Sequence, residues 1–202
     1  MSIDTREKIL KIATNLFAQK GFAGVSIREL TIAADVNISA ISYHFHGKEE
    51  LYKEVLKEQL YPIIEAVDIA EEKKDVTPVE KLKLWSELVV KIHMENPLLI
   101  KFMSSELNNP TKNGGSIVQN HLSRVYNFLR QAIQEGVNEG IFRKNLNINY
   151  SAVSLVSILN FYFFARPMIG KVSSVTDADL TTYPKEALDI YLKGIIIDNN
   201  EI

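Results

Sequence analysis

Residues 21–51 read GFAGVSIRELTIAADVNISAISYHFHGKEEL, and the reading of this stretch decides the fold. Ser26 and Glu29 have the Ser-x-x-Glu spacing of a capping box, which predicts a helix starting at Ile27. Ile27, Leu30 and Ala34 then recur at helical spacing. Asp35-Val36-Asn37 breaks that period, and Asn37 is placed to cap a second helix running to about Phe45. Stepping about 100° per residue from Ile41 puts Ile38, Ile41 and Phe45 on one face. Ser39 and Tyr43 lie opposite, flanked by Ala40, Ser42 and His46. A helix with an apolar anchoring stripe and small or polar side chains on its back fits a groove about 12 Å wide. The arrangement predicts a helix-turn-helix that reads DNA.

Two short helices alone are equally compatible with an ordinary hairpin inside a helical bundle. The residues that follow separate the two readings. Gly47 punctuates, and Lys48-Glu49-Glu50-Leu51 opens a third helix. The glutamates complement the positive end of the helix dipole, while Lys48 opposes it at a cost of roughly 0.3–1 kcal/mol. A cation beside the free N–H groups of a helix start makes an anion site, and the anion expected there is a DNA phosphate. The residues expected at the DNA surface are Ser26, Arg28, Asn37, Ser39, Ala40, Ser42, Tyr43, His44 and Lys48.

The same segment carries a family resemblance. Arg6, Ile9, Leu10, Ala13, Phe17, Gly21, Ser26, Ile27, Ile32, Ala33, Val36, Ile41, Phe45, Lys48, Glu49, Glu50 and Leu51 together resemble the N-terminal domain of TetR-type transcriptional regulators. The match covers about the first quarter of the chain. The family commonly has an aromatic residue where Ser42 stands, and Tyr43-His44-Phe45 supplies an aromatic cluster just after it. Where Ile38 stands, a Lys or Arg is frequent, so this chain lacks one customary phosphate or base contact. The resemblance implies a homodimer and an inducer pocket in the C-terminal part.

Composition is consistent with that reading. The chain has 202 residues, 46% of them hydrophobic, which is ample for a substantial core. It contains no cysteine, so disulfides and thiolate metal sites are excluded. The first residues lack the apolar run of a signal peptide, and the longest apolar stretch, 152–165, is interrupted by Ser154, Ser157 and Asn160. That stretch is short for a bilayer span, and a soluble, cytoplasmic protein without membrane partners is expected. Net charge is −2 overall, but residues 1–48 hold six Lys/Arg against four acids, which leaves −4 on the remainder. A mildly basic head on an acidic body suits a protein that meets phosphate at one end.

The rest of the chain reads as helix throughout, giving an all-α fold of about nine helices. Residues 1–47 are expected to form a three-helix DNA-binding domain, and residues 48–202 a helical ligand-binding and dimerisation domain with the fourth helix as connector. Helix 1 spans about Thr5 to Lys20 and stops at Gly21. Helix 4 runs from Lys48 toward Ala70 with Pro62 inside it, where a kink is expected. Thr77-Pro78-Val79-Glu80 is a second capping box. Further helices are expected from Asn96-Pro97, from Ser116 to about Glu139, from Tyr150 to Arg166 with Pro167 as terminator, and from Pro184 to about Ile197. Lys171 to Thr182 reads as a polar loop.

The last two helices are apolar nearly all round, which requires burial on both sides. Either they are the core of one large domain, or they pack against their copies in a two-fold dimer. The dimer reading places Ile158, Phe161, Ala165, Leu188, Tyr191 and Ile195 at the interface. A surplus of aromatic and soft side chains suggests an apolar ligand cavity lined by Tyr61, Trp85, Val89, His93, Phe102, Met103, Tyr126, Phe128, Phe161 and Tyr162. No metal-ligand spacing, cofactor motif or catalytic constellation is visible. The expected function is a repressor released from a palindromic operator by a small, largely apolar effector. A DNA-binding regulator controlled by a protein partner is the alternative, and a helical enzyme is the weakest.

Overall fold

The computed structural model describes residues 4–112, 114–172 and 182–197. Among them the chain forms helices α1 (Thr5–Lys20), α2 (Ile27–Ala34), α3 (Ile38–Phe45), α4 (Lys48–Glu72), α5 (Pro78–Glu95), α6 (Leu99–Asn108), α7 (Gly114–Asn138), α8 (Ile148–Val172) and α9 (Thr182–Ile195). No strand forms among the described residues. A lone bridge pairs Phe142 with Ile196, where the Arg143 N–H donates to the Ile195 carbonyl at 2.9 Å.

Packing divides the chain into two compact units. The first comprises residues 1–61 and 97–121, and the second residues 62–96 and 122–202. Compactness therefore adds the start of α4, all of α6 and the start of α7 to residues 1–47. The reason is the first unit's core. Ile9, Ala13 and Phe17 of α1, Leu30 and Ala34 of α2, and Ile41 and Phe45 of α3 pack with Leu51, Tyr52, Val55 and Leu56 of α4 and Phe102 of α6.

Local chemistry explains the helix ends. Ser26 caps α2 by accepting from the Glu29 N–H at 3.1 Å, but the Glu29 carboxylate does not return the bond. It pairs with Lys20 at 2.5 Å, and that bond holds the carboxyl below the usual carboxylate range. The capping box at α5 is complete: Thr77 accepts from the Glu80 N–H at 3.2 Å, and the Glu80 carboxylate accepts from the Thr77 N–H at 2.7 Å. A cap of this kind is worth about 1 kcal/mol.

The second unit buries Trp85, Val89, Phe128, Leu129, Ile133, Leu155, Leu159, Leu188 and Leu192 in one cluster. Arg124 of α7 holds Asp68 at 2.9 Å and Glu71 at 2.5 Å on the last turns of α4. Both carboxylates are substantially exposed, so the network orients more than it stabilises.

Two prolines lie inside helices, Pro62 as expected and Pro167 against the expectation that it ends its helix. α4 continues through Pro62, and the two units meet along the chain between Tyr61 and Pro62. α8 continues through Pro167 to Val172, six residues beyond the expected stop at Arg166. A proline costs a helix one N–H bond and a close contact, and flanking turns that are themselves well formed can carry that loss. Lys171 and Val172 are accordingly helical, Thr182 opens α9, and residues 173–181 of the expected loop lie outside the described residues. At 25 residues, α8 is long and apolar enough to cross a bilayer by length and composition, which corrects the shorter span expected above.

One close approach fixes the turn after α7. A Cβ built on Gly136 would lie 2.2 Å from the ring of Phe142, which is fully buried. Gly136→Ala gains helix propensity of about 1 kcal/mol, but the ring has no room to retreat. The expected outcome is a net loss of about 1–3 kcal/mol in a urea titration, largely recovered in the double variant Gly136→Ala/Phe142→Leu.

Candidate nucleic-acid interface

The candidate reading surface is built on α3. Ile41 and Phe45 are buried and hold the helix against α1 and α2. Asn37 caps its start, its Oδ1 accepting from the Ala40 N–H at 2.9 Å and from the Ser39 hydroxyl at 2.6 Å. His46 closes it in the left-handed region, its N–H donating to the Ser42 carbonyl. Opposite the anchors, Ser39, Ser42 and Tyr43 are exposed, and Tyr43 is 80% exposed with its ring edge-on to His44. Ala40 and His44 are half-buried, and Ser26, Arg28 and Asn37 are exposed. The structure thus brings these nine candidates together around α2, α3 and the start of α4, in the first unit.

One residue departs from the helical projection, and a second makes contacts within its own chain. Ile38, expected to face inward, is 63% exposed. It is the first residue of α3. Lys48 is engaged inside the protein. Its ammonium donates to the Phe22 carbonyl at 3.0 Å and the Val25 carbonyl at 2.8 Å, and sits 4.2 Å from the centre of the Phe22 ring. Two of its three donors are spent on the segment that leads into α2.

Behind the reading helix lies a polar pair that sequence reasoning missed. Glu106 of α6 is 2% exposed, and its carboxylate accepts from the Tyr52 hydroxyl at 2.7 Å. It also accepts from the Thr111 N–H and hydroxyl at 3.0 and 3.2 Å. Burial and then the bond to Glu106 push the Tyr52 hydroxyl well above its ordinary range. The partners are 54 residues apart, so no local pattern announces them. Tyr52 also meets the rings of Phe17, Phe22 and Phe102 at 4.9, 5.0 and 6.3 Å, which joins the Lys48 contact to α6 through a continuous aromatic cluster.

The ten residues expected to line one cavity are distributed between the units. Phe102, Met103 and Tyr61 belong to the first, where Phe102 packs beside Tyr52 and Tyr61 is exposed. In the second unit, Trp85 is 1% exposed, lies 6.5 Å from Phe128 and is accompanied by Val89. The Trp85 indole Nε1 is buried with no hydrogen-bond partner. Tyr126 is half-buried beside the same cluster, and burial raises its hydroxyl's pKa. His93 is buried, stacked on Phe163 at 4.4 Å, with Nε2 2.8 Å from Asn160 Oδ1. Burial lowers its pKa, against the opposing effect of the Asn160 bond. Tyr162 stacks on Tyr183 at 4.4 Å. Phe161 is 61% exposed and lines no interior space. A separate open cleft of about 320 Å³ runs between α5 and α9, bordered by Val90, Lys91, Met94, Lys185 and Leu188.

The six expected interface residues also divide. Leu188, Tyr191 and Ile195 are buried within their own chain, and the Tyr191 hydroxyl donates to the Ser151 carbonyl. Its burial pushes its pKa up to about 12. Ile158 and Ala165 are half-buried. The exposed apolar residues of α8 are Tyr150, Val153, Phe161, Phe164 and Met168, with Ile190 exposed on α9. A bundle projection without tertiary contacts does not tell which of two apolar faces its own chain covers.

Comparison with known proteins agrees with this geometry. Residues 9–55 match the family model described as bacterial regulatory proteins, tetR family, and residues 78–185 match the one described as tetracyclin repressor-like, C-terminal domain. The HTH-type transcriptional repressor NicS of Pseudomonas putida is 26% identical over 177 residues, 87% of this chain and 83% of that one. The probable HTH-type transcriptional regulator YttP of Bacillus subtilis is 47% identical over 58 residues, 29% of this chain and 28% of its own length. The ketosteroid transcriptional regulator KstR2 of Mycobacterium tuberculosis superposes with a TM-score of 0.79 at 16% identity, covering 98% of each chain.

Lys48→Met is expected to lower stability by about 1–3 kcal/mol, because two charge-assisted bonds to carbonyls are lost. Its effect on the salt dependence of DNA binding should be less than one counterion. Unchanged denaturation with a full unit lost from the salt slope would return Lys48 to phosphate. His93 gives a pH signature. Its folded pKa lies below the ordinary 6.5, so the unfolded chain binds the extra proton first. Stability contributed by neutral His93 is therefore complete above pH 6.5 and declines as pH falls below it. In thermal melts between pH 7.5 and 5, His93→Gln should flatten that decline.

Proposed function

The chain belongs to the TetR family of bacterial regulatory proteins and is a DNA-binding transcriptional regulator; we propose that it acts as a homodimeric cytoplasmic repressor, released from a palindromic operator by a small, largely apolar ligand. What supports DNA reading most directly is the back of α3, where Ser39, Ser42 and Tyr43 stand exposed on a helix anchored by Ile41 and Phe45. Ser39 and Tyr43 are one helical turn apart, as are Ile38 and Ser42. They offer a narrow set of side chains to base edges, while Arg28 and the capped start of α2 suit the phosphate backbone.

The dimer is supported by the outward stripe of α8. Tyr150, Val153, Phe161, Phe164 and Met168 recur at spacings of one or two helical turns and stay exposed along the helix. An exposed apolar stripe of that length, interrupted at Ser157, marks an interaction surface. In a DNA-binding protein, a second copy is the occupant that also supplies the second reading helix. Two helices about one DNA turn apart read a palindrome.

The ligand reading rests on the indole of Trp85. A buried N–H without an acceptor costs about 1–3 kcal/mol, and a ligand carrying one acceptor among apolar groups would recover it. The close burial of Trp85, Val89 and Phe128 is what a regulator answering to a protein partner would also show, so that reading stays as the alternative.

Selection of genomic fragments by the full-length protein tests the reading. Enrichment of a palindrome by wild type, lost in Tyr43→Ala, is the expected result. Phe161→Lys should sediment as a monomer and lose operator affinity; a dimeric, fully active Phe161→Lys would move the interface elsewhere. A ligand that quenches Trp85 emission should weaken operator binding, and operator should weaken the ligand by the same factor.

A further inference from the structure

We infer that Ile38 is a specificity residue that reads the C5-methyl group of a thymine at one fixed position of each operator half-site; this rests on the DNA-binding reading above. Ile38 stands at the first position of α3 and is 63% exposed, on the same side of the helix as Ser42 and beside the reading residues Ser39 and Tyr43. In a helix-turn-helix, the N-terminal residues of the second helix are the ones that approach base edges in the major groove.

The chemistry around Ile38 narrows what it can read. The polar groups of the same turn are engaged with the cap, although Asn37 and Ser39 are both exposed. Asn37 Oδ1 is held by the Ala40 N–H at 2.9 Å, and the Ser39 hydroxyl donates to that same oxygen at 2.6 Å. At this corner of the helix the outward group is a branched hydrocarbon with no donor or acceptor. Four base-pair orientations display hydrogen-bonding groups in the major groove, and only those containing thymine display a methyl. A hydrogen-bonding base edge desolvated against Ile38 would be left without a partner, whereas a thymine methyl would be buried against it. The residue therefore selects by attraction to thymine and by rejection of a cytosine amine or guanine oxygen.

The test uses the full-length dimer and the palindrome it enriches from a random duplex pool. Each thymine of the half-site is replaced in turn by deoxyuridine, which removes the methyl and leaves the pairing edge intact. Wild type should lose about three- to fivefold in affinity per half-site at one symmetric position, as expected for one buried methyl. Ile38→Ala should bind the thymine and uridine operators equally, with thermal stability unchanged, while Ile38→Val should keep part of the difference. Tyr43→Ala should keep the full uridine penalty despite weaker binding. Uridine tolerated at every position by wild type, or a penalty undiminished in Ile38→Ala, would overturn the role of Ile38 and leave DNA reading intact. Failure to enrich any duplex would overturn the DNA reading itself and this inference with it.

Discussion

An eight-residue helix has too few hydrogen bonds to repay its own nucleation in water, so α3 exists only because tertiary contacts hold it. Ile41 and Phe45 supply that hold, buried against α1, α2 and the first turns of α4. The stripe is narrow, and the narrowness is the functional constraint. Every further apolar anchor on α3 would be taken from the surface that reads. The Asn37 cap, the left-handed His46 and the Lys48 bonds to the segment before α2 compensate by fixing the ends of the helix-turn-helix.

The same economy appears in the polar interior behind it. Glu106 is a buried carboxylate, and such a group persists only with its lone pairs satisfied. Tyr52 and Thr111 provide those bonds, and Tyr52 in turn carries the aromatic cluster that reaches Phe22 beneath Lys48. Removing one partner would strand the other, so α6 is tied to the start of α4 by chemistry that resists piecemeal change. That tie is why α6 folds as part of the unit that contains the reading helix.

In the second unit, α8 has to satisfy two surfaces at once. Leu155, Leu159 and Tyr162 face the core of their own chain, while Val153, Phe161, Phe164 and Met168 face outward. A helix apolar on both sides has almost no amphipathic signal, so its composition announces burial without naming the neighbour. The membrane-like length of α8 has the same origin.

Much of this was legible in the chain. Caps at Ser26, Asn37 and Thr77, the stop at Gly21 and the periodicity of α1 to α5 are local, set by backbone groups within four residues, and local sequence states them directly. The exposed face of α3 followed from the same arithmetic, save Ile38, which stands at the helix's first position. Other features lie beyond local reach. Tyr52 finds Glu106 across 54 residues, and His93 finds Asn160 across 67. Leu188 turns inward while Phe161 turns out. Fifty residues of intervening chain carry no record of which side chains will meet, because that is decided by how helices stack. The periodicity of a helix determines which residues share a face; only the packed structure determines what that face meets.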